Sequence, residues 1–553
     1  MDNLYQINPD AINDLAQAKV ILKQLLNVLE TFTKENKELK QLIQALRDEI
    51  SRLKGEKGKP QIKPNNNNNN NNDNGNDTQN ENDISSNKER KEKKSWKKTG
   101  KKNIIKIDKT VECPVDKTIL PPDAQFKGHD RVVGQHIIFK RENTEYLVEL
   151  YYSPSENKTY RGKLPDEYSG YFSKGLRSFT LLAHHCLDIT RNKLLNLYGS
   201  IGIEMSKGSL NNILQEDAQK WTDEKDDLLR AGLLQGVAQT DVTGARVNGK
   251  NHYTHIICGE HFTVYSTLPG KSRQDVLRAF QGIYETGLLY QYNAHTLQLL
   301  EHFKISEEDK HALSKIYAMG QIVPEAEFIN TIKEKVIALY NKKNMFRRVC
   351  DAFALAHFYE LGILKILVSD DAREYELITL IRMLCWIHDG RHYKKLTPGF
   401  DYHRQILRDF LDKYWKYYHR LLYYTRNPQP ELVAELENDF DSLFNPVTDY
   451  SDLNKEINRT LSNKEKLLTL LQYPFLPLHN NLSELAARRQ VRKRDISLHT
   501  KTSLGTKLQD AFMSITQTCL QLNVDVWQYI QSRFDNTAST YLPEMVRMKY
   551  DTS

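Results

Sequence analysis

A heptad repeat near the N-terminus is the pattern that most restricts how this chain can fold. Two apolar series recur every seven residues, the second three positions after the first. The a positions hold Leu22, Leu29, Asn36, Ile43 and Ile50, and the d positions hold Leu25, Phe32, Leu39, Leu46 and Leu53. A seam of this length is typical of a coiled coil, and asparagine at an a position favours two strands in fixed register.

Residues 1–54 are therefore predicted to form a dimerisation helix. The interface residues expected from the seam are Leu25, Phe32, Asn36, Leu39 and Leu46. An amphipathic helix packed on its own domain is the alternative interpretation of the same pattern.

Residues 55–110 have a composition that cannot support a packed core. An unbroken asparagine run at 65–72 is followed by a lysine-rich block around Trp96. Too little apolar surface is present to offset the entropy of ordering the chain, so a disordered linker is predicted. The lysine-rich block is interpreted as a flexible phosphate-binding arm, and a solvated linker is a compatible alternative. Its expected DNA contacts are Lys97, Lys98, Lys101 and Lys102.

The charge of the 553-residue chain is uneven. The net charge is +7, and the basic excess gathers at residues 88–109 and 488–507. Clustered positive charge favours a nucleic-acid partner. The sequence shows neither a membrane-spanning apolar run nor an export signal, so we expect a cytoplasmic, nucleoid-associated protein without membrane contact. The six cysteines are widely spaced and give no support for a disulfide framework or a thiolate zinc site.

Residues 111–230 separate the linker from the larger C-terminal part. Residues 111–165 are predicted to form a small β-rich module, and 166–230 a helical region. Within the latter, residues 193–215 resemble two short helices around a turn. This pattern fits a DNA-binding helix-turn-helix or a generic helical hairpin.

From residue 231 the chain mixes strands and helices. A β-prone run at 237–242, the hairpin signal Asn248-Gly249 and further strands at 252–257 and 261–267 predict an antiparallel meander. A mainly helical stretch follows at 282–360, then a short apolar run typical of a strand buried on both faces. A later helix is rich in Tyr and Trp, which suits either core packing or base stacking. Its aromatic residues are Tyr414, Trp415, Tyr417, Tyr418, Tyr423 and Tyr424.

Three acidic residues fall at distinctive places in this order. Asp241 lies on the first strand, Asp370 at the end of the buried strand, and Glu484 on the helix within 477–494. The order matches a ribonuclease-H-like α/β fold, in which the first and fourth strands are neighbours. Paired divalent ions need shared carboxylates to stabilise an in-line phosphoryl displacement, and Mg²⁺ prefers oxygen ligands.

Each acid also has a structural interpretation. Asp241 could form an Asx-turn, and Asp370 could be the N-cap of the next helix. Asp371 could replace Asp370 either as that N-cap or as the metal ligand. Glu484 follows Asn481 by three residues, which fits a capping box with Asn481 as N-cap. The metal-site hypothesis therefore depends on all three acids meeting in space.

Three segments carry a family resemblance. They are GVAQTDVTGARVNGKNHY, LVSDDAREY followed by CWIHDGRHYKKL, and LPLHNNLSELAARRQVRKR. From about residue 181 to 530 the chain resembles the DDE transposases of the insertion-sequence sixty-six family. The resemblance implies that Asp241, Asp370 and Glu484 are catalytic and hold Mg²⁺ or Mn²⁺, and that His388 and Asn481 support the site.

The fold class expected from these observations is multidomain α+β. It combines the N-terminal coiled coil, the β-rich and helical DNA-binding region, and a ribonuclease-H-like catalytic domain over 231–535 with helical insertions near 282–360 and 390–475. A tail is expected at 536–553. The chain departs from the family in two places: Cys113 has no nearby partner cysteine for a zinc module, and the 282–360 connection is long. In that connection Asn293 is strand-like but cannot replace an acid.

The function implied is metal-dependent cleavage of transposon ends and transfer of the strand into target DNA. Homodimers formed through the coiled coil would handle two ends, and accessory proteins of the same element are further candidate partners. The residues expected to hold DNA phosphates are Arg488, Arg489, Arg492, Lys493 and Arg494. The rival interpretations are a non-catalytic DNA-binding relative of the transposases and a coiled-coil scaffold that binds only protein.

Overall fold

The computed structural model describes residues 14–53, 107–129, 131–135, 141–284, 286–535 and 541–551. Most of the expected linker, including the four lysines predicted to contact DNA, lies outside these residues. The described chain is a mixed α+β protein built around a five-stranded mixed sheet. Among the described residues, no helix is both long and apolar enough to cross a membrane.

Helices and strands are numbered in chain order. The α-helices are α1 (Leu15–Leu53), α2 (Lys174–Leu181), α3 (Arg191–Ser200), α4 (Lys207–Leu214), α5 (Ala218–Gly232), α6 (Arg273–Gln281), α7 (Ala294–His302), α8 (Glu307–Ile316), α9 (Glu325–Lys335), α10 (Ile337–Asn341), α11 (Lys343–Leu361), α12 (Trp386–Lys394), α13 (Asp401–Arg426), α14 (Glu431–Phe444), α15 (Ser451–Ser462), α16 (Lys464–Leu467), α17 (Asn481–Ser497), α18 (Ser503–Gln521), α19 (Val526–Asp535) and α20 (Leu542–Asp551). The strands are β1 (Leu150–Ser153), β2 (Lys158–Arg161), β3 (Tyr168–Ser169), β4 (Phe172–Ser173), β5 (Val237–Val247), β6 (Lys250–Cys258), β7 (Thr263–Leu268), β8 (Leu289–Gln291), β9 (Ile322–Pro324), β10 (Ile366–Ser369) and β11 (Ile381–Leu384).

The five-stranded sheet has the order β11-β10-β5-β6-β7. The predicted meander is present, since β5, β6 and β7 pair antiparallel. Asn248 and Gly249 both have positive φ, as a tight hairpin turn requires. Strand β10 is wholly buried and lies parallel beside β5. The first and fourth strands of this sheet are therefore neighbours, as the sequence predicted.

Two apolar cores flank the sheet. On one side α18 packs against β7 and α5, and Asp510 of α18 accepts hydrogen bonds from the backbone N and the Oγ1 of Thr267 at 2.7 and 2.8 Å. On the other side the helices of the insertion surround Trp386. Five of the six aromatic residues of α13 singled out above are buried, and Tyr423 is exposed. The stripe therefore packs the core.

Several boundaries differ from the sequence predictions. The 282–360 stretch contains a small antiparallel sheet, β8 with β9, and Asn293 caps α7 by accepting from the backbone N of Thr296. Within the same stretch, α9 and α10 are separate helices because Val336 adopts a non-helical φ of −134°. The expected tail is corrected as well: α20 buries Leu542 and Val546 completely.

The helical region at 166–230 is interrupted once more than expected. After α2 the chain makes a π-helical turn, Leu182–Cys186, and Asp188 then has a positive φ of 58°. Helices α3 and α4 are close to the predicted pair, and both bury apolar residues such as Leu194 and Leu210 in the main core.

The N-terminal helix α1 is continuous over the heptad region. Its seam does not pack into its own domain, because Leu22, Leu25, Leu29, Phe32, Leu39, Ile43 and Leu46 are each 39–58% exposed. Contacts with the rest of the chain come instead from polar residues such as Glu30. The structure therefore differs from the alternative interpretation, in which the apolar face of the helix packs against its own domain.

Candidate active site

The parallel pairing of β5 and β10 brings Asp241 and Asp370 together. Val368 lies opposite Gln239 in the register of these strands. Continuing that register by two residues aligns Asp370 with Asp241. Both side chains are partly buried, and the backbone N of Val242 donates to Asp241 Oδ1 at 2.7 Å.

Helix α17 delivers Glu484 to the same place. Ser483 Oγ donates to the carbonyl of Thr240 at 3.3 Å, which fixes the first turn of α17 beside the residue preceding Asp241. One turn further on, Tyr265 OH donates to the carbonyl of Ala486 at 3.1 Å. Glu484 is only 9% exposed. Asp370 and Glu484 both lie near enough for their charges to act on Asp241. We call the surroundings of these three acids the candidate pocket.

The capping box proposed for the start of α17 is not formed. The N-cap residue is Asn480, not Asn481, and no side-chain cap bond is made there. The backbone amide of Glu484 instead bonds to the Asn480 carbonyl at 3.1 Å, as in an ordinary first helical turn. Asn481 is buried and its Oδ1 has no partner. The carboxylate of Glu484 is thus free of a capping role.

The pocket concentrates negative charge where water is largely excluded. The pKa of Asp241 is raised to about 7, mainly by burial and in addition by the charges of Asp370 and Glu484. The bond from Val242 and the charge of Arg391 act in the opposite direction. Neighbouring carboxylates repel one another, and a bound divalent cation would offset that repulsion.

Arg391 is a residue of the pocket that the sequence interpretation missed. Its Nη2 donates to Glu484 Oε2 at 2.9 Å, and its Nη1 donates to His388 Nε2 at 2.9 Å. Burial would lower the pKa of Arg391, but the bond and charge of Glu484 raise it overall. The signal was present in the sequence, because His388 and Arg391 are three residues apart on one helix and share a face.

His388 lies against Glu484, with its Nε2 3.5 Å from Glu484 Oε1. Burial lowers its pKa despite the nearby carboxylate. Since Nε2 accepts from Arg391, the proton belongs on Nδ1, which is buried without a partner. Cys385 is close by, and ligand atoms of Cys385, His388 and Glu484 lie within 4.8 Å of one another. Burial raises the pKa of the Cys385 thiol to about 12.

The backbone around Asp370 is held by a buried arginine. Arg382 donates to the carbonyls of Asp370 and Ala372 at 2.5 and 3.1 Å, and to Ser369 Oγ at 3.0 Å. Asp371, the alternative to Asp370, is instead ion-paired with Arg459 of α15. Its carboxylate is therefore engaged outside the three-acid pocket.

Part of the chain is similar to known proteins. Residues 347–508 match the family model described as Transposase IS66 family. This segment is therefore similar to the IS66 transposases. The matched segment contains Asp370, Arg391 and Glu484, whereas Asp241 precedes it. A similar protein is the uncharacterized protein y4jO of Sinorhizobium fredii (strain NBRC 101917 / NGR234), 29% identical over 329 residues, which are 58% of this chain and 100% of the relative.

The match at residues 347–508 indicates a transposase-related function with DNA as a partner. The basic residues of α17 divide into two groups. Lys493 is buried and donates to Asp188 Oδ1 at 2.9 Å, and Arg489 pairs with the same carboxylate at 3.1 Å. Arg494 donates to the Gly244 carbonyl at 2.5 Å. Arg488 and Arg492 remain exposed.

Proposed function

We propose that this protein is a DNA transposase that cleaves transposon ends and joins them to target DNA, both double-stranded, in a reaction dependent on Mg²⁺ or Mn²⁺. The proposal is supported by the register of β5 and β10, which aligns Asp370 with Asp241, and by the bond from Ser483 to Thr240, which places the start of α17 beside them. The order of the strands is also that of a ribonuclease-H-like domain, which we propose for residues 231–535.

Asp241 and Asp370 would hold both ions, and Glu484 would hold the second. Paired ions in such a site stabilise the attacking and leaving oxygens of an in-line phosphoryl displacement. The carboxylate set suits hard cations. Burial raises the pKa of the Cys385 thiol to about 12, so this thiol is protonated at neutral pH when no metal ion is bound.

The other side chains of the pocket prepare it for a polyanion. Arg391 places a guanidinium beside Glu484, and its side chain is 38% exposed, so it can reach a DNA phosphate. His388 orients Arg391 by accepting its second bond. Arg488 and Arg492 extend the positive charge along the exposed face of α17, where DNA phosphates would lie.

Pairing of two copies would allow two DNA ends to be handled together. The seam residues Leu25, Phe32, Leu39 and Leu46 are exposed along one face of α1, as a dimerisation surface requires. Asn36 at an a position would then fix the register of the two helices.

The proposal is tested with Asp241→Asn, Asp370→Asn and Glu484→Gln variants in a cleavage assay on transposon-end DNA with Mg²⁺ or Mn²⁺. Each variant should lose cleavage and retain DNA binding, because the basic surface is unchanged. Asp495→Asn, an exposed acid on α17, is the matched control and should cut like the parent. Cleavage by all three variants would exclude the proposed site. A parent protein that binds DNA but never cuts it would indicate a catalytically inactive, transposase-derived DNA-binding protein.

A further inference from the structure

Helix α1 has two chemically distinct faces. The a and d positions form the exposed apolar seam, whereas Lys23, Asn27, Glu30 and Lys34 occupy the b and f positions on the opposite side. The contacts described here between α1 and the rest of the chain come from this second, polar face. The seam therefore remains accessible while α1 is docked.

Glu30 is the centre of the docked face. It is 4% exposed, accepts from the backbone N of Gly399 at 2.8 Å, and binds Nδ1 of the fully buried His403 at 2.5 Å. The His403 ring stacks on Tyr450 with ring centroids 4.6 Å apart, and Tyr450 OH also approaches Glu30 at 3.4 Å. A buried carboxylate with this many partners is costly to displace, because its partners would lose their bonds.

Two further residues of α1 hold the start of α15. Asn27 Oδ1 accepts from the backbone N of Ser451 at 2.9 Å, and Asn27 Nδ2 donates to the Asp449 carbonyl at 2.8 Å. Tyr450, the N-cap residue of α15, makes no side-chain cap bond, so Asn27 supplies a cap from another helix. Lys34 pairs with Asp452 in the first turn. We call Asn27, Glu30 and Lys34 with these partners the α1 clamp.

The opposite end of α15 contacts the candidate active site. Arg459 pairs with Asp371, the neighbour of Asp370, and donates to Asp389 Oδ1 at 3.2 Å. Thr460 Oγ1 lies 2.9 and 3.0 Å from the two carboxylate oxygens of Asp389. Asp389 belongs to α12, the helix that carries His388 and Arg391. About two helical turns of α15, roughly 12 Å, thus separate the clamp from the pocket.

We propose that α1 is a two-faced assembly element: its seam takes a second copy of this chain, and its clamp transmits that pairing through α15 to α12 and the Asp370–Asp371 corner. The occupant of the seam is a second copy because the heptad repeat is self-complementary and places Asn36 opposite Asn36. The pairing of two copies through the seam rests on the proposed function. The coupling from the α1 clamp through α15 is independent of it.

The test uses the full-length protein without DNA or metal, so it is independent of cleavage. Light scattering and amide hydrogen exchange are measured on the parent, Glu30→Gln, Asn27→Ala and the matched control Glu38→Gln, an exposed c-position residue. Glu30→Gln presents an amide N–H to His403 Nδ1–H and weakens the clamp. Asn27→Ala removes only the cap of α15, in case Glu30→Gln does not fold.

We expect all four proteins to be dimers, because the seam is untouched. Exchange in α15 and α12 should increase about tenfold in both clamp variants and stay at the parental rate in Glu38→Gln. Faster exchange confined to α1 and residues 399–403, or an effect equal to that of the control, would overturn the coupling. If the parent protein is a monomer, the inference that a second copy binds the seam is wrong.

Discussion

The guanidinium of Arg391 lies between His388 and Glu484 and is the positive charge nearest to the Glu484 carboxylate among the contacts described above. A positive group in a partly buried site stabilises developing negative charge on a phosphoryl oxygen more strongly than one in water. We therefore assign Arg391 a role in the chemistry or in positioning the phosphate, alongside the three acids.

Replacement of Arg391 tests this assignment. Arg391→Ala should lower cleavage by about 100-fold or more, as removal of one charge-stabilising donor does in other enzymes, and Arg391→Lys should recover part of it. Cleavage is measured under single-turnover conditions with DNA saturating, which separates chemistry from binding. Lys395→Ala, at the exposed C-terminal end of the same helix, should behave like the parent. Equal losses in both alanine variants would contradict the assignment.

Asp510 gives a prediction about pH and stability. Burial raises its pKa to about 6, although Thr267 bonds the carboxylate. Because this folded-state pKa is above the unfolded value near 4, the folded protein retains a proton that the unfolded chain has lost. The contribution of Asp510 to stability should therefore fall as pH rises from about 4 to 6 and stay constant above that.

Asp510→Asn should remove this dependence, since the amide can keep both bonds to Thr267. Its stability relative to the parent should rise by about 3 kcal/mol between pH 4 and 8. Urea unfolding across that range measures the difference, and exposed Asp412→Asn is the control. A difference between parent and variant that does not change with pH would show that Asp510 is ionised throughout.

At the residue scale the sequence predicted which elements carry Asp241, Asp370 and Glu484, because each residue is at the end or centre of a recognisable element. It did not predict Arg391, because an arginine on a polar helix usually faces solvent. The N-cap of α17 was misplaced by one residue because two asparagines are adjacent and either can precede a helix.

At the element scale, α17 has two functions along its length. Its first turn carries Glu484, and its later turns hold the π-helical turn near Cys186 through Lys493 and Arg489, which share Asp188. The basic segment therefore combines structural contacts with exposed charges.

Two substitutions on α17 separate these functions. Lys493→Ala should reduce the free energy of unfolding by about 3 kcal/mol, because the buried Asp188 loses a partner. Arg492→Ala should leave stability nearly unchanged, weaken DNA binding and reduce the salt dependence of log Kd by about one. Chemical unfolding and binding titrations at several salt concentrations measure both effects. The reverse pattern would place the phosphate contact on Lys493.

Sequence periodicity predicted the meander and β10 but missed the β8–β9 pair. Each of these strands has only three residues, too short to show an alternation of apolar and polar positions. The break at Val336 was missed because the helical pattern continues on both sides. At such positions, long-range packing and not local sequence preference determines whether a strand or a helix break forms.

At the scale of the whole molecule, assembly depends on the seam of α1. The double variant Leu25→Lys with Leu39→Lys should be monomeric in sedimentation experiments, because it places like charges at facing d positions. Lys37→Ala, on the polar side of the helix, is the control. A dimeric double variant would show that another surface joins the copies.

Glu484 enters the chain 114 residues after Asp370, behind the whole helical insertion. A growing polypeptide that has been synthesised only as far as the insertion contains Asp241 and Asp370. It does not yet contain Glu484 or the helix that carries it. If the three acids act as proposed, DNA-cutting ability is withheld until both the insertion and α17 have been synthesised. Fragments that stop within the insertion are then harmless to the genome that encodes them.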